Sequence, residues 1–365
     1  MKFYLTWILL FASAELILSA VQFGLKKKSF KASARIVIIV IKALLGIGLG
    51  ALVMAGPVQL RPAQPIMFAL YAALFADAVA DIIYSVISVI SKRERKFYVS
   101  KIISLIFGIL FFIYGTVNMQ IVKPDYHTYT SGKLNSEHKI VFLADIHIGS
   151  AQPFTVIEKE IENIKAEKPE AIILGGDITD DYTTKEEAER LYSLFGSCGI
   201  PVYYIHGNHD RQKHAEYARG QQYTPEELEE IITRNGITVL KDEYISLDDD
   251  LLLLGREDRS EKELRKEASA LINPDENKYL IVADHQPLEF KNNLVTGADL
   301  QLSGHTHAGQ LFPLGEFTGI VSYSKGEYKS GEAVMLLSPG ASGWRVPFRT
   351  DSHCRYEVIT LKPAG

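Results

Sequence analysis

The hydrophobic residues of this chain form two kinds of pattern, one in residues 1–122 and another in the residues that follow. The first part contains four apolar runs of about 20 residues, the length that a helix needs to cross the hydrocarbon core of a membrane. These runs cover residues 3–24, 36–55, 66–90 and 97–122. We therefore predict that residues 1–122 form an α-helical membrane region of four transmembrane helices.

The basic residues of the connecting loops predict the orientation of these helices. The first and third loops are rich in Lys and Arg, and short loops of this kind stay in the cytoplasm. The basic residues are Lys26, Lys27, Lys28, Lys31 and Arg35 in the first loop and Lys92, Arg93, Arg95 and Lys96 in the third. We therefore expect a multi-pass protein of a bacterial plasma membrane, with all residues after 122 outside the cytoplasm. A cleaved signal peptide is the alternative for residues 3–24, although the basic cluster follows that apolar run instead of preceding it.

Four ionisable residues lie within the predicted spans: Glu15, Lys42, Asp77 and Asp81. Ionisable groups inside a membrane are costly and are often functional. Asp81 and Lys42 come at similar depths, so a structural ion pair between two helices is the other interpretation. The sequence leaves both interpretations open.

Residues 139–365 have the pattern of an α/β domain, and the polar residues 123–138 before it are predicted to be a linker. Apolar runs predict strands over residues 139–144, 171–174, 202–205, 251–254, 279–283, 299–302, 333–337 and 356–361. Helical patterns cover residues 153–167, 185–195, 225–235 and 260–271. Helices separate the first three strands, which indicates parallel βαβ units. The later strands lie closer together, so we expect a second, more antiparallel sheet.

Charge and cysteine content narrow the classes of function. Residues 1–122 contain 13 of the 39 basic residues and 4 of the 44 acidic residues. The remaining residues therefore contain 26 basic and 40 acidic residues. The two parts therefore carry net charges of +9 and −14. An acidic domain argues against a nucleic-acid partner. The two cysteines, Cys198 and Cys354, exclude a disulfide scaffold and a Cys-rich zinc module, but whether they pair with each other is open.

Polar side chains of the kinds that bind metals follow five of the predicted strands. They are Asp145 and His147, Asp177, Asn208, His285, and His305 and His307. The carboxyl ends of strands form the ligand-binding edge of an α/β sheet, so we expect these side chains to meet. Carboxylate, imidazole and amide ligands without a thiolate suit Mn, Fe, Zn or Mg. The ligands are too many for one ion, which predicts two divalent ions that clamp a phosphoryl group while a phosphate ester is hydrolysed.

These segments resemble the signature of the calcineurin-like metallophosphoesterase family. The matching motifs are Asp145-x-His147, Gly176-Asp-x-x-Asp180, Gly207-Asn-His-Asp210, His285 and Gly304-His-Thr-His307. The forms around Asp284–Pro287 and Ser303–Gln310 are similar to the bacterial YkuE/YaeI-type branch. The resemblance covers residues 139–361 and not the four predicted helices. It implies a sandwich of two β-sheets with helices outside.

The resemblance also implies a role for each site residue. One metal ion would be held by Asp145, His147 and His307, the other by Asn208, His285 and His305, with Asp177 as the bridge. His209 would lie beside the substrate phosphate, where it would stabilise the transition state or protonate the leaving group. Asp210 would orient the imidazole of His209, and Asp180 would support the turn at Asp177. The segment that contains Arg256 is less typical, so Arg256 receives no role.

The sequence therefore predicts a membrane-anchored, metal-dependent hydrolase of a phosphodiester or pyrophosphate bond. Its substrate and oligomeric state are open. Apolar residues after the last metal motif form either part of the core or a rim for the acyl chains of a lipid-linked substrate: Leu311, Phe312, Leu314, Phe317, Trp344, Val346 and Phe348, with Arg345 and Arg349 among them for phosphate. The alternative is a membrane receptor or transporter-like protein whose domain binds a phosphate ligand without turnover. The motifs of serine hydrolases and P-loop enzymes are absent from the sequence.

Overall fold

The computed structural model describes residue 44 and residues 64–91, 97–311 and 323–365 of the chain. The predicted helices over residues 3–24 and 36–55 lie outside these described residues. Outside them also lie Glu15, Lys42, the side chain of Asp81, and three residues of the predicted apolar rim, Phe312, Leu314 and Phe317.

The chain divides into two units, Met1–Gly115 and Thr116–Gly365. Helix α1 is Gln64–Ser91, and helix α2 is Phe97–Met119, whose last residues belong to the second unit. Within the described part of the chain, one helix segment, Ile102–Met119, is long and apolar enough to cross a membrane. A single segment does not establish a membrane region. The four-helix region predicted from the sequence is therefore not supported beyond this helix.

The second unit contains twelve described strands and four described α-helices. The strands are β1 Val122–Ser131, β2 His138–Leu143, β3 Ala171–Gly175, β4 Val202–Ile205, β5 Thr238–Val239, β6 Glu243–Asp248, β7 Leu251–Gly255, β8 Tyr279–Ala283, β9 Leu300–Ser303, β10 Gly326–Ser330, β11 Ala333–Leu337 and β12 Cys354–Pro363. The helices are α3 Phe154–Glu167, α4 Lys185–Gly196, α5 Pro225–Arg234 and the single turn α6 Phe290–Asn293. One six-stranded sheet has the order β1-β12-β2-β3-β4-β5, and the other has the order β10-β11-β9-β8-β7-β6.

The two sheets pack face to face, and helices cover the outer face of the first sheet. Successive side chains of a strand point to opposite faces, and β2 illustrates the result. Val141 and Leu143 belong to a core cluster with α3, α4 and α5. Ile140 and Phe142 belong to a second cluster with β7, β8 and β9. The structure thus confirms two sheets flanked by helices.

Helices α4 and α5 begin in the same way, with a threonine that precedes each helix. The side chains of Thr184 and Thr224 accept hydrogen bonds from the backbone N–H of Glu187 and Glu227, whose carboxylates bind the threonine N–H in return. This capping box satisfies backbone donors that a helix start otherwise leaves unpaired. At Thr184, the capping box therefore determines the residue at which the loop after β3 ends and α4 begins.

The second sheet is more antiparallel than the first, as the sequence predicts, because it has two antiparallel pairings against one in the first sheet. Its central strands β7, β8, β9 and β11 are parallel, and antiparallel pairing occurs with the edge strands β6 and β10. Residues 256–278 and 284–299 are long enough for the crossover connections that parallel strands need.

Two predictions about individual elements are wrong. Residues 123–131, predicted to belong to a linker, form β1, which pairs in parallel with β12 from Val122 to Ser131. Residues 260–271, predicted to be a helix, contain only the short 3-10 turn Ala268–Ala270. A residue outside this segment binds its backbone, because the Lys266 N–H donates to the Asp242 carboxylate at 2.6 Å. The polar strands β5, β6 and β10 were not predicted.

Both cysteines are buried and unpaired. Cys198 lies in the core cluster of α3, α4 and α5, whereas Cys354 packs with Met119 and Ala151. Burial raises the pKa of the Cys354 thiol to about 11. The disulfide left open by the sequence is therefore not formed in this structure.

Candidate dinuclear metal centre

The predicted ligands follow five strands whose carboxyl ends lie at one edge of each sheet. Asp145 and His147 follow β2, Asp177 follows β3, Asn208 follows β4, His285 follows β8, and His305 and His307 follow β9. Strands β2, β3 and β4 are parallel, as are β8 and β9. This is the edge at which α/β sheets bind ligands.

The first ligand group consists of Asp145, His147, Asp177 and His307, whose ligand atoms all lie within 4.8 Å of one another. His147 Nε2 lies 3.6 Å from Asp177 Oδ2. His307 Nε2 lies 3.4 Å from Asp145 Oδ1 and 3.1 Å from His147 Nε2. Imidazole nitrogens and carboxylate oxygens at this spacing can surround one divalent cation.

The second ligand group consists of Asp177, His285 and His305. His285 Nε2 lies 3.2 Å from Asp177 Oδ2. The other ring nitrogen, Nδ1, donates to the carbonyl of Gly175 at 2.9 Å, which leaves Nε2 as the ligand atom. Asp177 belongs to both groups, an arrangement that fits the bridging role implied by the resemblance.

Three observations test whether metal ions fit this site. Asn208 Oδ1 and His285 Nε2 are buried and have no hydrogen bond within the described part of the chain. The Nε2 atoms of His147 and His307 face each other, and their lone pairs repel unless a proton or a cation lies between them. The residues present therefore fit two divalent ions.

Burial and neighbouring charges favour the neutral form of His305 and His307, whereas at His285 burial is outweighed by the Asp177 carboxylate, which raises the pKa well above its usual range. Burial and the adjacent His285 lower the pKa of His305 to about 4. Burial and His147 hold the pKa of His307 well below its usual range. A neutral imidazole is the form that binds metals. Burial alone would raise the pKa of Asp177. The charges of His285 and His209 outweigh burial and hold the pKa of Asp177 well below its usual range.

The backbone at the site is strained. Five ligand residues have left-handed backbone conformations, with φ of 59° at Asp145, 47° at His147, 52° at Asp177, 75° at His305 and 45° at His307. Such conformations are costly for residues other than glycine and persist where the surrounding structure enforces them, often at functional sites.

Two glycines let the backbone approach the carboxylates closely. A Cβ atom at Gly207 would collide with Asp177 Oδ1, and a Cβ atom at Gly304 would collide with Asp145 Oδ2. Larger residues at these positions would displace the Asp177 and Asp145 carboxylates from the ligand groups.

Asp210 does not orient His209, contrary to the expectation from the resemblance. Its Oδ2 accepts from the backbone N–H groups of Asp177 at 2.8 Å and Gly207 at 2.7 Å. Its Oδ1 accepts from the N–H and the hydroxyl of Thr179. Asp210 therefore holds the turn at Asp177, the role expected of Asp180. Asp180 accepts from Tyr182 N–H and lies 3.6 Å from His147 Nδ1.

The partner of His209 is Asp181, a residue that the sequence analysis missed. Asp181 Oδ2 accepts from His209 Nδ1 at 2.7 Å, and the backbone N–H of His209 donates to Asp177 Oδ1 at 2.8 Å. Burial disfavours the imidazolium, but Asp177 and then Asp181 outweigh it and raise the pKa of His209 to about 9. The acidic neighbours of His209 thus favour its protonated form, and its ring lies 5.7 Å from that of His147.

Trp344, a described residue of the predicted apolar rim, lies against His209. The two ring centroids are 5.8 Å apart, and Trp344 is half-buried. Gln310 fixes this loop, because its Nε2 donates to the carbonyls of Trp344 and Val346 and its Oε1 accepts from Trp344 N–H.

Three other members of the rim are part of the protein interior. Val346 and Phe348 are buried, in agreement with the core interpretation. Arg349 is fully buried, and its guanidinium donates to the backbone carbonyls of Ser342, Ala308, Pro339 and Ser352. Arg349 therefore holds two loops together and cannot meet a phosphate. Arg345 is half-buried, with its guanidinium 6.0 Å from the Trp344 ring centroid.

Residues 138–309 match the calcineurin-like phosphoesterase family. The match makes this segment similar to metal-dependent phosphoesterases. The metals and the substrate are not determined by the match.

Several curated relatives are similar to this chain. An uncharacterized metallophosphoesterase of Helicobacter pylori (strain J99) is 30% identical over 243 residues, which cover 63% of this chain and 61% of the relative. The YkuE metallophosphoesterase of Bacillus subtilis, also uncharacterized, is 27% identical over 61% of this chain and 79% of its own length. A transmembrane protein with metallophosphoesterase domain from Danio rerio is 27% identical over 62% of this chain and 53% of its own. The chain thus spans less than two thirds of the first relatives it matches.

A solved dimetal phosphatase from Danio rerio is also similar, at 12% identity over 56% of this chain and 88% of the other. Its TM-score is 0.33, which is too low to support an argument about this chain.

Proposed function

We propose that this chain is a membrane-anchored phosphoesterase that uses two divalent metal ions to hydrolyse a phosphodiester or pyrophosphate bond. The observation that carries the proposal is that Asp177 is shared by two ligand groups and also accepts the backbone N–H of His209. Two divalent ions at such a site polarise phosphoryl oxygens and lower the pKa of water. A substrate with a poor leaving group then still needs a proton donor, and His209 is available for that task.

The proposed proton transfer uses His209 and Asp181. As water attacks phosphorus and the bond to the leaving oxygen breaks, His209 Nε2 gives its proton to that oxygen. The attacking water releases its proton to the solvent, and His209 takes a proton from the solvent when product leaves. Asp181 holds Nδ1 at 2.7 Å, which keeps the ring in one orientation and stabilises its charge.

We further propose a lipid-linked substrate and an extracytoplasmic catalytic domain in a multi-pass membrane protein. Trp344, half-buried beside His209, would contact the apolar part of the substrate. The apolar segment Ile102–Met119, which ends three residues before β1, and the name of the Danio rerio relative support membrane anchoring.

The receptor alternative has no specific observation in its favour. A domain that binds phosphate without turnover does not need a proton donor, yet His209 is present with an oriented imidazole. Asp177 is likewise present in both ligand groups.

The test is turnover by the full-length chain, purified in detergent and loaded in turn with Mn, Fe, Zn or Mg, on bis(p-nitrophenyl) phosphate. We expect Asp177→Asn to lose most turnover together with bound metal, since its charge is shared by both groups. We expect His209→Ala to lose turnover by about 100-fold or more while retaining both ions, as general acids contribute at that scale.

Metal analysis of the same samples separates the possible outcomes. Loss of an ion from His209→Ala would contradict the role of His209 as a proton donor outside the ligand set. Full metal occupancy without turnover of any phosphate ester would favour the receptor alternative.

A further inference from the structure

A cavity of about 510 Å³ lies at the ends of β7 and β8, and none of the predicted metal ligands lines it. The segment after β7 forms most of its wall, and the turn of α6 after β8 forms the rest. The lining residues are Arg256, Arg259, Lys262, Arg265, Lys266, Glu267, Ala268, Ser269, Glu289, Asn292 and Val295. The wall therefore includes the segment that the sequence analysis wrongly predicted to be a helix.

The cavity is basic although the domain is acidic. Five cationic side chains and two carboxylates line it, whereas residues 123–365 carry a net charge of −14. One of the two carboxylates, Glu289, already accepts from Arg259 Nε at 2.7 Å and from the amide of Asn292. A local concentration of positive charge in an acidic domain attracts anions to this one place.

Arg256 is a buried cation with unsatisfied donors. Its side chain is 2% exposed, and its Nε has no hydrogen bond within the described part of the chain. Its Nη1 lies 2.9 Å from Asp242 Oδ1 without the alignment of a hydrogen bond, and its Nη2 donates to the Lys266 carbonyl. A buried guanidinium with unused donors is costly unless a further acceptor binds it.

The lysines of the cavity have no partner that competes for an anion. Neither Lys262 nor Lys266 has an ion pair or a hydrogen bond from its ammonium group among residues 64–91, 97–311 and 323–365. Arg265, in contrast, binds Asp284 through both terminal nitrogens, at 3.1 and 2.7 Å. Asp284 directly precedes the predicted ligand His285, so the cavity and the metal centre share this segment.

We propose that this cavity is a second anion-binding site, which takes a small molecule that carries a phosphate or diphosphate group. Arg256 and Lys266 lie together in its wall and supply a planar donor group and a mobile ammonium, a combination that suits phosphate oxygens. The volume exceeds what a single phosphate fills and falls in the range of sites for small organic ligands. The site is separate from the ligands of the metal centre and does not depend on the reaction there.

The test is calorimetric titration of the full-length, metal-loaded chain in detergent with methylenediphosphonate, a diphosphate analogue that resists hydrolysis. We expect two classes of binding, of which Asp177→Asn removes the class at the metal centre. The double variant Lys262→Glu/Lys266→Glu is expected to weaken the remaining class by about 100-fold, at roughly tenfold for each charge-assisted hydrogen bond that the variant removes.

Matched controls make the result specific. The double variant Lys159→Glu/Lys329→Glu carries the same change of charge at exposed positions outside the cavity, and it is expected to bind as wild type does. Arg256→Gln tests the buried guanidinium, and the lysine variants decide the question if that variant does not fold.

A second arm identifies the source of the phosphate. Mixed micelles that contain phosphatidic acid replace the soluble analogue in this arm. If the chain binds these micelles and Lys262→Glu/Lys266→Glu weakens that binding, the ligand is a lipid headgroup. Binding of the soluble analogue alone would identify a soluble phosphate compound. Two results would overturn the proposal. One is that Asp177→Asn shows no saturable binding of either the soluble analogue or phosphatidic acid. The other is that Lys262→Glu/Lys266→Glu binds as well as its charge-matched control.

Discussion

The hydrogen bond between Asp181 and His209 gives a prediction about a single carboxylate. Asp181→Asn keeps the shape of the side chain but removes the charge that stabilises the His209 imidazolium. We expect kcat to fall by about 10- to 100-fold, the usual effect of losing a partner that orients a reactive group, with little change in KM and in metal content. Steady-state kinetics and metal analysis of the purified variant check this expectation.

A double-mutant comparison supplies the control for Asp181. In the background of His209→Ala, Asp181→Asn is expected to have no further effect on kcat, because Asp181 acts through the imidazole. A further loss in the double variant, or the loss of a metal ion from Asp181→Asn alone, would show that Asp181 acts on the metal centre instead.

At the scale of residues, the sequence was sufficient to predict that the candidate ligands lie together, and it was not sufficient to predict their supporting contacts. Each ligand directly follows an apolar strand, so the topology of parallel strands predicts that the ligands meet. Asp180 and Asp181 are adjacent and chemically identical, and no spacing rule tells which carboxylate reaches His209. Asp210 follows His209 in the chain but points to the backbone at Asp177, a direction that only the folded turn determines.

His138, at the start of β2, joins three separate elements and gives a prediction about pH. Its Nδ1 bonds Glu170 before β3 at 2.9 Å, and its Nε2 bonds Asp250 before β7 at 2.8 Å. Burial lowers the pKa of His138, but the hydrogen bonds to Glu170 and Asp250 outweigh burial and raise it above the ordinary value of 6.5. The folded state therefore binds this proton more tightly than the unfolded state does.

The stabilisation from protonated His138 is fully present below about pH 6.5 and is lost as the pH rises through the raised pKa of the folded state. We expect the free energy of unfolding of wild type to fall over this interval by more than that of His138→Gln, measured by urea denaturation across the pH series. Parallel pH profiles for the two proteins would contradict the prediction.

At the scale of elements, buried strands and capped helices were predictable, but edge strands and one charged segment were not. β1 is polar, and its residues alternate between half-buried and exposed, so its composition resembles that of a linker. Residues 260–271 have a helical period. Asp242 binds the backbone N–H of Lys266, and Arg265 reaches Asp284, so contacts from outside the segment interrupt it and leave short turns in place of a continuous helix. Single-sequence periodicity contains no information about such partners.

At the scale of the whole molecule, the orientation in a membrane can be tested by cysteine labelling. The native Cys198 and Cys354 are 8% and 0% exposed, so they give little background. We expect a membrane-impermeant maleimide to label Lys159→Cys in intact cells, and to label Ser29→Cys, in the first basic loop, only after lysis. The reverse pattern would place the domain in the cytoplasm and contradict the proposed topology.

The proposed lipid-linked substrate gives a prediction that depends on the whole chain. Only Gln120 and Ile121 separate the apolar helix from β1, so the chain has no long linker there through which to reach substrates far from a membrane. We therefore expect a higher kcat/KM in detergent micelles for a phosphodiester that carries acyl chains than for its matched analogue without them. Trp344→Ala is expected to reduce this preference, because Trp344 lies beside His209, whereas Leu288→Ala, an exposed apolar position outside the site, is expected to leave it unchanged. Equal kcat/KM for the two substrates, or an unaltered preference in Trp344→Ala, would remove the case for a substrate in the bilayer and leave a soluble phosphodiester or pyrophosphate as the better proposal.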